Sequence, residues 1–181
     1  MKDRRSYGIL PYAGLPILMA GLWLAKRDGL SAPVLLLREV LLAFGYAASL
    51  GDLWEKRVPN ALLGMMLGAW VLVIMPQLFW QTERALVLLV SGIIGFLLGG
   101  ILFLTVYLVS RKGLGGGDVK LMAVSGLYLG ADGVLPAMLY GSVLSALAAI
   151  LLILCKKIER KDTIPLVPFL YAGMLVTVFI Q

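Results

Sequence analysis

Apolar residues in this chain come in long unbroken runs, not in the alternating or three-and-four spaced patterns of half-buried elements. Five runs, about Tyr7–Ala25, Pro33–Gly51, Ala61–Phe79, Ala85–Ser110 and Val134–Cys155, come near or pass the roughly 18 residues that read as a membrane-spanning helix. A last run covers about Ile164–Ile180. A shorter one, Val119–Gly130, is followed by Ala131-Asp132-Gly133 and as a helix would cover only about 20 Å of a hydrocarbon core about 30 Å thick. The polar breaks lie at Lys26-Arg27-Asp28, at Asp52 to Asn60 and at Gln81 to Arg84. Pro59 disfavours helix at Val58, after which Asn60 is placed to cap the third span. Pro11 and Pro16 are expected to bend the first helix. The pattern predicts an all-α polytopic membrane protein of about seven transmembrane helices, with one short crossing.

Composition agrees: 61% of residues are hydrophobic, 14% are charged and the mean hydropathy is +0.96. No stretch is polar enough for a separate soluble domain. The N-terminal Lys2, Arg4 and Arg5 ahead of an apolar run resemble a signal peptide, but no small-residue cleavage pattern follows, so the run reads as a retained helix. With seven crossings and a cytoplasmic N-terminus, the inside holds twelve of the sixteen Lys and Arg residues: Lys2, Arg4, Arg5, Lys56, Arg57, Arg111, Lys112, Lys120, Lys156, Lys157, Arg160 and Lys161. That asymmetry is the one expected of a protein of the cytoplasmic membrane. It makes the net charge of +6 a matter of topology and lipid headgroups, with no nucleic acid implied. A reversal at the short segment would put the cluster Lys156 to Lys161 outside, so a thin or tilted crossing is the expectation.

The chemistry is narrowed by what is missing. There is no histidine and one cysteine, Cys155, which removes Ser-His, Cys-His and His-ligated metal chemistry, a disulfide framework and a zinc site. Carboxylates, hydroxyls and lysines remain. Two acids stand out. Asp118 follows Gly113-Leu114-Gly115-Gly116-Gly117, where glycines let a backbone turn and another approach closely, and an acid at the membrane edge is costly and usually functional. Read alone, this is a turn with Asp118 capping the next helix. Asp52 closes the second span as Asp118 opens the fifth, so both lie at the cytoplasmic edge. Adjacent acids in a partly dry site share a proton, one taking a proton from water while the other polarises a carbonyl. Asp118, at a helix start, is the candidate for the ionised partner. For the other residues the plainer readings lead: Arg38 and Glu39 snorkel or pair with other helices, Gly92, Gly95, Gly99 and Gly100 pack helices, Glu55 is a solvated loop acid and Arg57 anchors at headgroups. Lys120 is a snorkelling lysine or a partner for a substrate acid or the acid pair.

On these residues the chain resembles the type IV prepilin peptidases, bacterial members of the GxGD aspartic proteases. Gly115-Gly116-Gly117-Asp118 matches G-x-G-D and runs on into Val119-Lys120-Leu121. Asp52 with Arg57-Val58-Pro59-Asn60 looks like the family's first-aspartate motif. Ile164-Pro165-Leu166-Val167-Pro168-Phe169-Leu170 is similar to its proline-rich final-helix motif. The resemblance covers 33–181, leaving 1–32 as an N-terminal helix and loop outside the family core. It implies a multi-pass endopeptidase of the inner membrane, without metal or cofactor, that cleaves the short basic leader of prepilin or pseudopilin substrates at the cytoplasmic face. Asp52 and Asp118 would be catalytic, and Gly115, Gly117, Lys120, Pro165, Pro168 and Phe169 would bind substrate or shape the site. Larger relatives carry a tetracysteine zinc insert and also methylate the new terminus. With one cysteine this chain resembles the compact form. Leu166-Val167 stands where Phe-Gly is more usual in that final motif. The competing readings are a small proton- or ion-coupled transporter using the same acids and a non-catalytic pilus-assembly protein.

Overall fold

The computed structural model describes residues 10–26, 29–110, 114–156 and 164–181. These form six helices: α1 (Leu10–Lys26), α2 (Ala32–Glu55), α3 (Asn60–Trp80), α4 (Thr82–Val109), α5 (Gly116–Leu154) and α6 (Val167–Ile180). Four of them, α2 to α5, are long and apolar enough to cross a membrane. Their outward faces are apolar as well, with Leu72, Phe79, Ile101 and Leu154 all exposed. Such a surface suits lipid and leaves every backbone polar group to be satisfied within helices. The protein is a multi-pass helical membrane protein.

The two separate helices that the hydropathy pattern predicts here follow each other without a loop as the two arms of α5, joined at Gly130, whose φ of 69° and ψ of −176° are not helical. Packing shows that the break reverses direction. Positions rising along α4 meet positions falling along the first arm of α5: a side chain at Gly92 would strike the Leu127 carbonyl, one at Gly95 the Gly126 carbonyl and one at Gly99 the Met122 carbonyl. Past Gly130 the order runs the other way. The Ala131 N–H donates to Ser91 Oγ at 3.2 Å, and Gly99 faces Val134. The first arm, 116–129, is thus antiparallel to α4, and the second, 131–154, runs parallel to it. Only glycine takes the Gly130 dihedrals without strain, and a Cβ there would lie 2.6 Å from Ser91 Oγ. The reversal falls at Gly130, where the hydropathy pattern ends the short segment.

Three further pairings complete the bundle. The first arm of α5 runs parallel to α3, with Lys120 Nζ donating to Asn60 Oδ1 near the start of both and Trp70 Nε1 donating to the Leu127 carbonyl at 2.9 Å farther along. α6 lies antiparallel to the second arm, Gly141 against Leu170 and Gly133 against Gln181. It is also antiparallel to α2, where Gly45 admits the Tyr171 ring and Tyr171 sets its edge on Tyr46 at 6.1 Å. Leu41, Leu42, Met66, Met122, Leu170 and Met174 are fully buried in the core so formed.

Near the start of α2, Arg38 donates to the Val178 carbonyl at 3.2 Å. Both Glu39 carboxylate oxygens are buried without a partner among the described residues, so Glu39 neither snorkels nor pairs there. The charged segments 1–9 and 157–163, on which much of the expected charge asymmetry rests, lie outside the described residues, as do Arg27, Asp28 and residues 111–113.

The reversal yields a prediction. Gly130→Val should destabilise the folded protein by about 1–3 kcal/mol through its backbone conformation and by more through the clash with Ser91. Ser91→Ala should cost only about 1 kcal/mol. Thermal unfolding of the purified protein in detergent checks the order.

Candidate active site

α2 runs past the expected end at Gly51 to Glu55, so Asp52 sits inside its last turn. Lys56 then ends the helix in a left-handed conformation (φ 51°, ψ 37°), its N–H donating to the Asp52 carbonyl at 2.9 Å. The chain next passes through Arg57, whose carbonyl lies over Gly51, and Val58 to an extended Pro59 (φ −64°, ψ 133°), which takes the N-cap position of α3. Asn60 is therefore the first residue of α3 and does not cap it as expected, because proline's ring holds the extended conformation a cap needs one residue earlier. The Asn60 side chain turns instead to Lys120, whose Nζ donates to its Oδ1 at 3.1 Å.

The Gly-rich stretch meets this connection directly. Gly115 is the N-cap of α5 and Asp118 its third residue, with the Gly115 N–H donating to Asp118 Oδ2 at 3.1 Å. That is half of a capping box, so the plain structural reading of Asp118 holds as far as it goes. Gly117 packs against Val58, where an added Cβ would come within 3.3 Å of the Val58 Cβ. A larger residue would push the α2–α3 connection off the start of α5.

Asp52 is met from another side. The Val167 N–H, first in α6, donates to Asp52 Oδ2 at 3.1 Å. Pro165 lies just before α6, and Pro168 is its second residue. The two prolines therefore do not bend the last helix; they set its entry, since a proline in the first turn lacks only an N–H that would have had no helical partner. The Val167 amide is one of the donors a helix start leaves unsatisfied, and it is spent on Asp52. Phe169 is half-buried, its carbonyl close to Gly141 of α5.

Asp52 and Asp118 thus reach one end of the bundle from two helices. Both are largely withdrawn from solvent, at 7% and 9% exposed. They are close enough to interact electrostatically, and Lys56 interacts with Asp52 in the same way. Each is held by an amide at a helix start, Asp52 by α6 and Asp118 by α5. The helix-start argument for an ionised Asp118 therefore applies to both and does not separate them. A carboxylate offers about four acceptor positions, so one amide bond on each leaves acceptor positions free on both. Among the described residues, no three His, Cys, Asp or Glu side chains come together as a metal site would require.

Sequence reading brought both acids and the three glycine- or proline-rich segments to this end, but missed Val167, Val58 and Lys56. The proline two places into a helix was the available signal for Val167. The other two follow from the tightness of the α2–α3 connection, which hydropathy does not show.

A multi-pass helical protein with a paired, amide-held carboxylate site is the class these features define. Residues 39–150 match the type IV leader peptidase family, and the chain belongs to that family. It is 30% identical over 138 residues to a prepilin leader peptidase/N-methyltransferase of Xanthomonas campestris pv. campestris, covering 76% of this chain and 47% of that protein. It is 27% identical over 85 residues to a protein of the same description from Bacillus subtilis, covering 47% of this chain and 34% of that one. The chain therefore spans less than half the length of these curated relatives. No solved structure matches it.

The Val167 contact is testable by itself. Val167→Pro removes the donor to Asp52 and adds strain at the entry to α6, because a proline disfavours the helical conformation (φ −88°, ψ −33°) of Leu166 before it. Losing a hydrogen bond to a charged group should cost about 1.5–3 kcal/mol, with helical content by circular dichroism unchanged.

Proposed function

We propose that this chain is a membrane-embedded aspartic endopeptidase that removes the short basic leader from prepilin-like substrates at the cytoplasmic face of a bacterial inner membrane. The observation that carries this reading is the meeting of Asp52 and Asp118, buried together from two helices and each steadied by a backbone amide. Family membership and the names of the relatives supply the substrate class. The proposal is confined to hydrolysis, because the single cysteine of this sequence cannot build the tetracysteine insert that accompanies methylation in larger relatives.

In the proposed reaction the pair carries one proton. The ionised carboxylate takes a proton from a water held between the two, and the protonated one donates to the scissile carbonyl oxygen. The new carbon–oxygen bond gives a tetrahedral intermediate, which collapses as the leaving nitrogen receives a proton and the peptide C–N bond breaks. Which aspartate starts protonated is a property of the pair. Seven crossings, with α5 folded at Gly130 and the N-terminus inside, would put this end of the bundle at the inner leaflet. Residues 33–181 would form the catalytic core, with 1–32 an added helix. Gly115 and Gly117 would let the chain close on the pair, and Pro165, Pro168 and Phe169 would hold α6 where its first amide meets Asp52.

Co-expression with a pilin bearing a basic leader that ends in glycine should show leader loss on a gel. Asp52→Asn and Asp118→Asn should each cut the rate by roughly a hundred- to ten-thousandfold. The double variant should be little worse than either, since the two act as a unit. Cleavage retained by either variant, in protein that still inserts, would end the assignment.

A further inference from the structure

The sequence around the first helix has the same order as the substrate proposed above. Lys2, Arg4 and Arg5 precede Gly8, and from Ile9 to Ala25 no charge interrupts the apolar run. Pro11 favours cleavage ahead of that run. It has no N–H to give the Tyr7 carbonyl, and its ring would meet that carbonyl in a helix, so a helix continued back across the Gly8–Ile9 bond is disfavoured. Hydrolysis needs a peptide bond outside a helix, and α1 starts at Leu10. Depth is set by packing. The Gly29 and Leu30 N–H groups both donate to the Lys26 carbonyl at 3.1 Å and α2 begins at Ala32, so α1 doubles back along α2, on which it packs. Farther along, a Cβ added at Gly14 would lie 3.3 Å from the Tyr46 hydroxyl. At about 1.5 Å per residue, Leu10 lies about 6 Å past Gly14 and Asp52 about 9 Å past Tyr46, toward the same end of the bundle. Two further residues of chain span up to about 7 Å, so the Gly8–Ile9 bond is within reach of the depth at which Asp52 lies.

We propose that the Gly8–Ile9 bond is itself a substrate of the acid pair, cut when one copy of this chain presents its first helix to another. The inference rests on the leader-peptidase reading and deepens it by naming a substrate. The presenter is a second copy because α1 in its own chain lies on the Tyr46 side of α2. Asp52, six positions on, points about 120° away round that helix, where the Val167 amide of α6 meets it. The body of α2 therefore separates α1 from the pair beside it. Copies inserted in one membrane share an orientation, so the bond ahead of α1 in one comes to the depth of the acids in the other. α1 is also open to lipid, with Ile17 and Leu24 exposed. In the reaction, water adds to the Gly8 carbonyl carbon as the ionised carboxylate takes its proton. The C–N bond then breaks and the Ile9 nitrogen receives a proton from the pair, leaving a Gly8 carboxyl group and an Ile9 amine. α1 stays in the membrane, and the segment with Lys2, Arg4 and Arg5 leaves it.

The test uses the full chain with a C-terminal tag, expressed in the membrane of a host that has no leader peptidase of this family, together with a pilin whose basic leader ends in glycine. N-terminal sequencing and intact mass should find a product that begins at Ile9. Asp52→Asn and Asp118→Asn, each expressed alone, should keep Lys2, Arg4 and Arg5. An Asp118→Asn copy carrying a different tag should lose that segment once the parent chain is co-expressed. Gly8→Leu should lower the processed fraction of the parent by about tenfold or more, with cleavage of the pilin unchanged. An intact N-terminus on a chain that cleaves the pilin would overturn the proposal and leave the peptidase reading standing. So would Gly8→Leu processed as fully as the parent, or a mixed sample in which only the active copies are cut. Loss of the segment from Asp52→Asn expressed alone would assign the cut to a host protease and overturn it too. If neither the pilin nor the N-terminus is cut by protein that inserts, the proposal and the peptidase reading fall together.

Discussion

Taking a carboxylate out of water is costly unless a donor or a cation meets it. In this protein that requirement falls on Asp52, and the Val167 amide answers it. The contact joins residues 115 positions apart and holds the start of α6 against the end of α2. From there Tyr171 enters at Gly45 and Arg38 reaches the Val178 carbonyl, so the whole α2–α6 seam follows from the same antiparallel register. α6 is in turn the helix that covers the second arm of α5. A single buried acid thereby ties together the three helices whose ends make up the site.

The reversal at Gly130 does the complementary work. α5 would be nearly 60 Å long if straight, twice the thickness of a hydrocarbon core. Folding it lets its first arm stand beside α3 and α4 with Asp118 at the same end as Asp52, while its second arm lies under α6. Close packing of α4 on both arms depends on glycine faces, since a side chain at Gly95 or Gly99 would enter the backbone of α5. Tight apposition of this kind in lipid is stabilised by van der Waals contact and not by exclusion of water. The order in which the chain brings its acids together is thus set by glycine positions as much as by the acids.

Much of this could be read from the residues, and the exceptions share a cause. Long apolar runs located the helices to within a few residues, and the Gly-rich approach to Asp118 with a second acid at Asp52 pointed to the end of the bundle where both acids are buried. Hydropathy ends the short segment at Gly130 but cannot show that a single residue there makes the whole reversal; the Gly130 dihedrals do. Nor can it distinguish a proline that bends a helix from one that begins it: Pro165 and Pro168 become intelligible only once Val167 is known to start α6. Asn60 was assigned to capping because its type favours caps, yet Pro59 had already satisfied the geometry. Val58 and Lys56 act through a connection whose shape is tertiary, and no local pattern announces them.

The connection between α2 and α3 has a consequence for motion. Lys56 is fixed in a left-handed turn and Pro59 in an extended one, and the strand between them is wedged between Gly51 and Gly117. So short a link has few conformations to exchange, so it cannot lift away as a flexible flap. In the proposed reaction, admission of a peptide between the aspartates would therefore fall to whole helices shifting against one another, the slower rigid-body class of rearrangement, with α2 and the first arm of α5 as the two jaws.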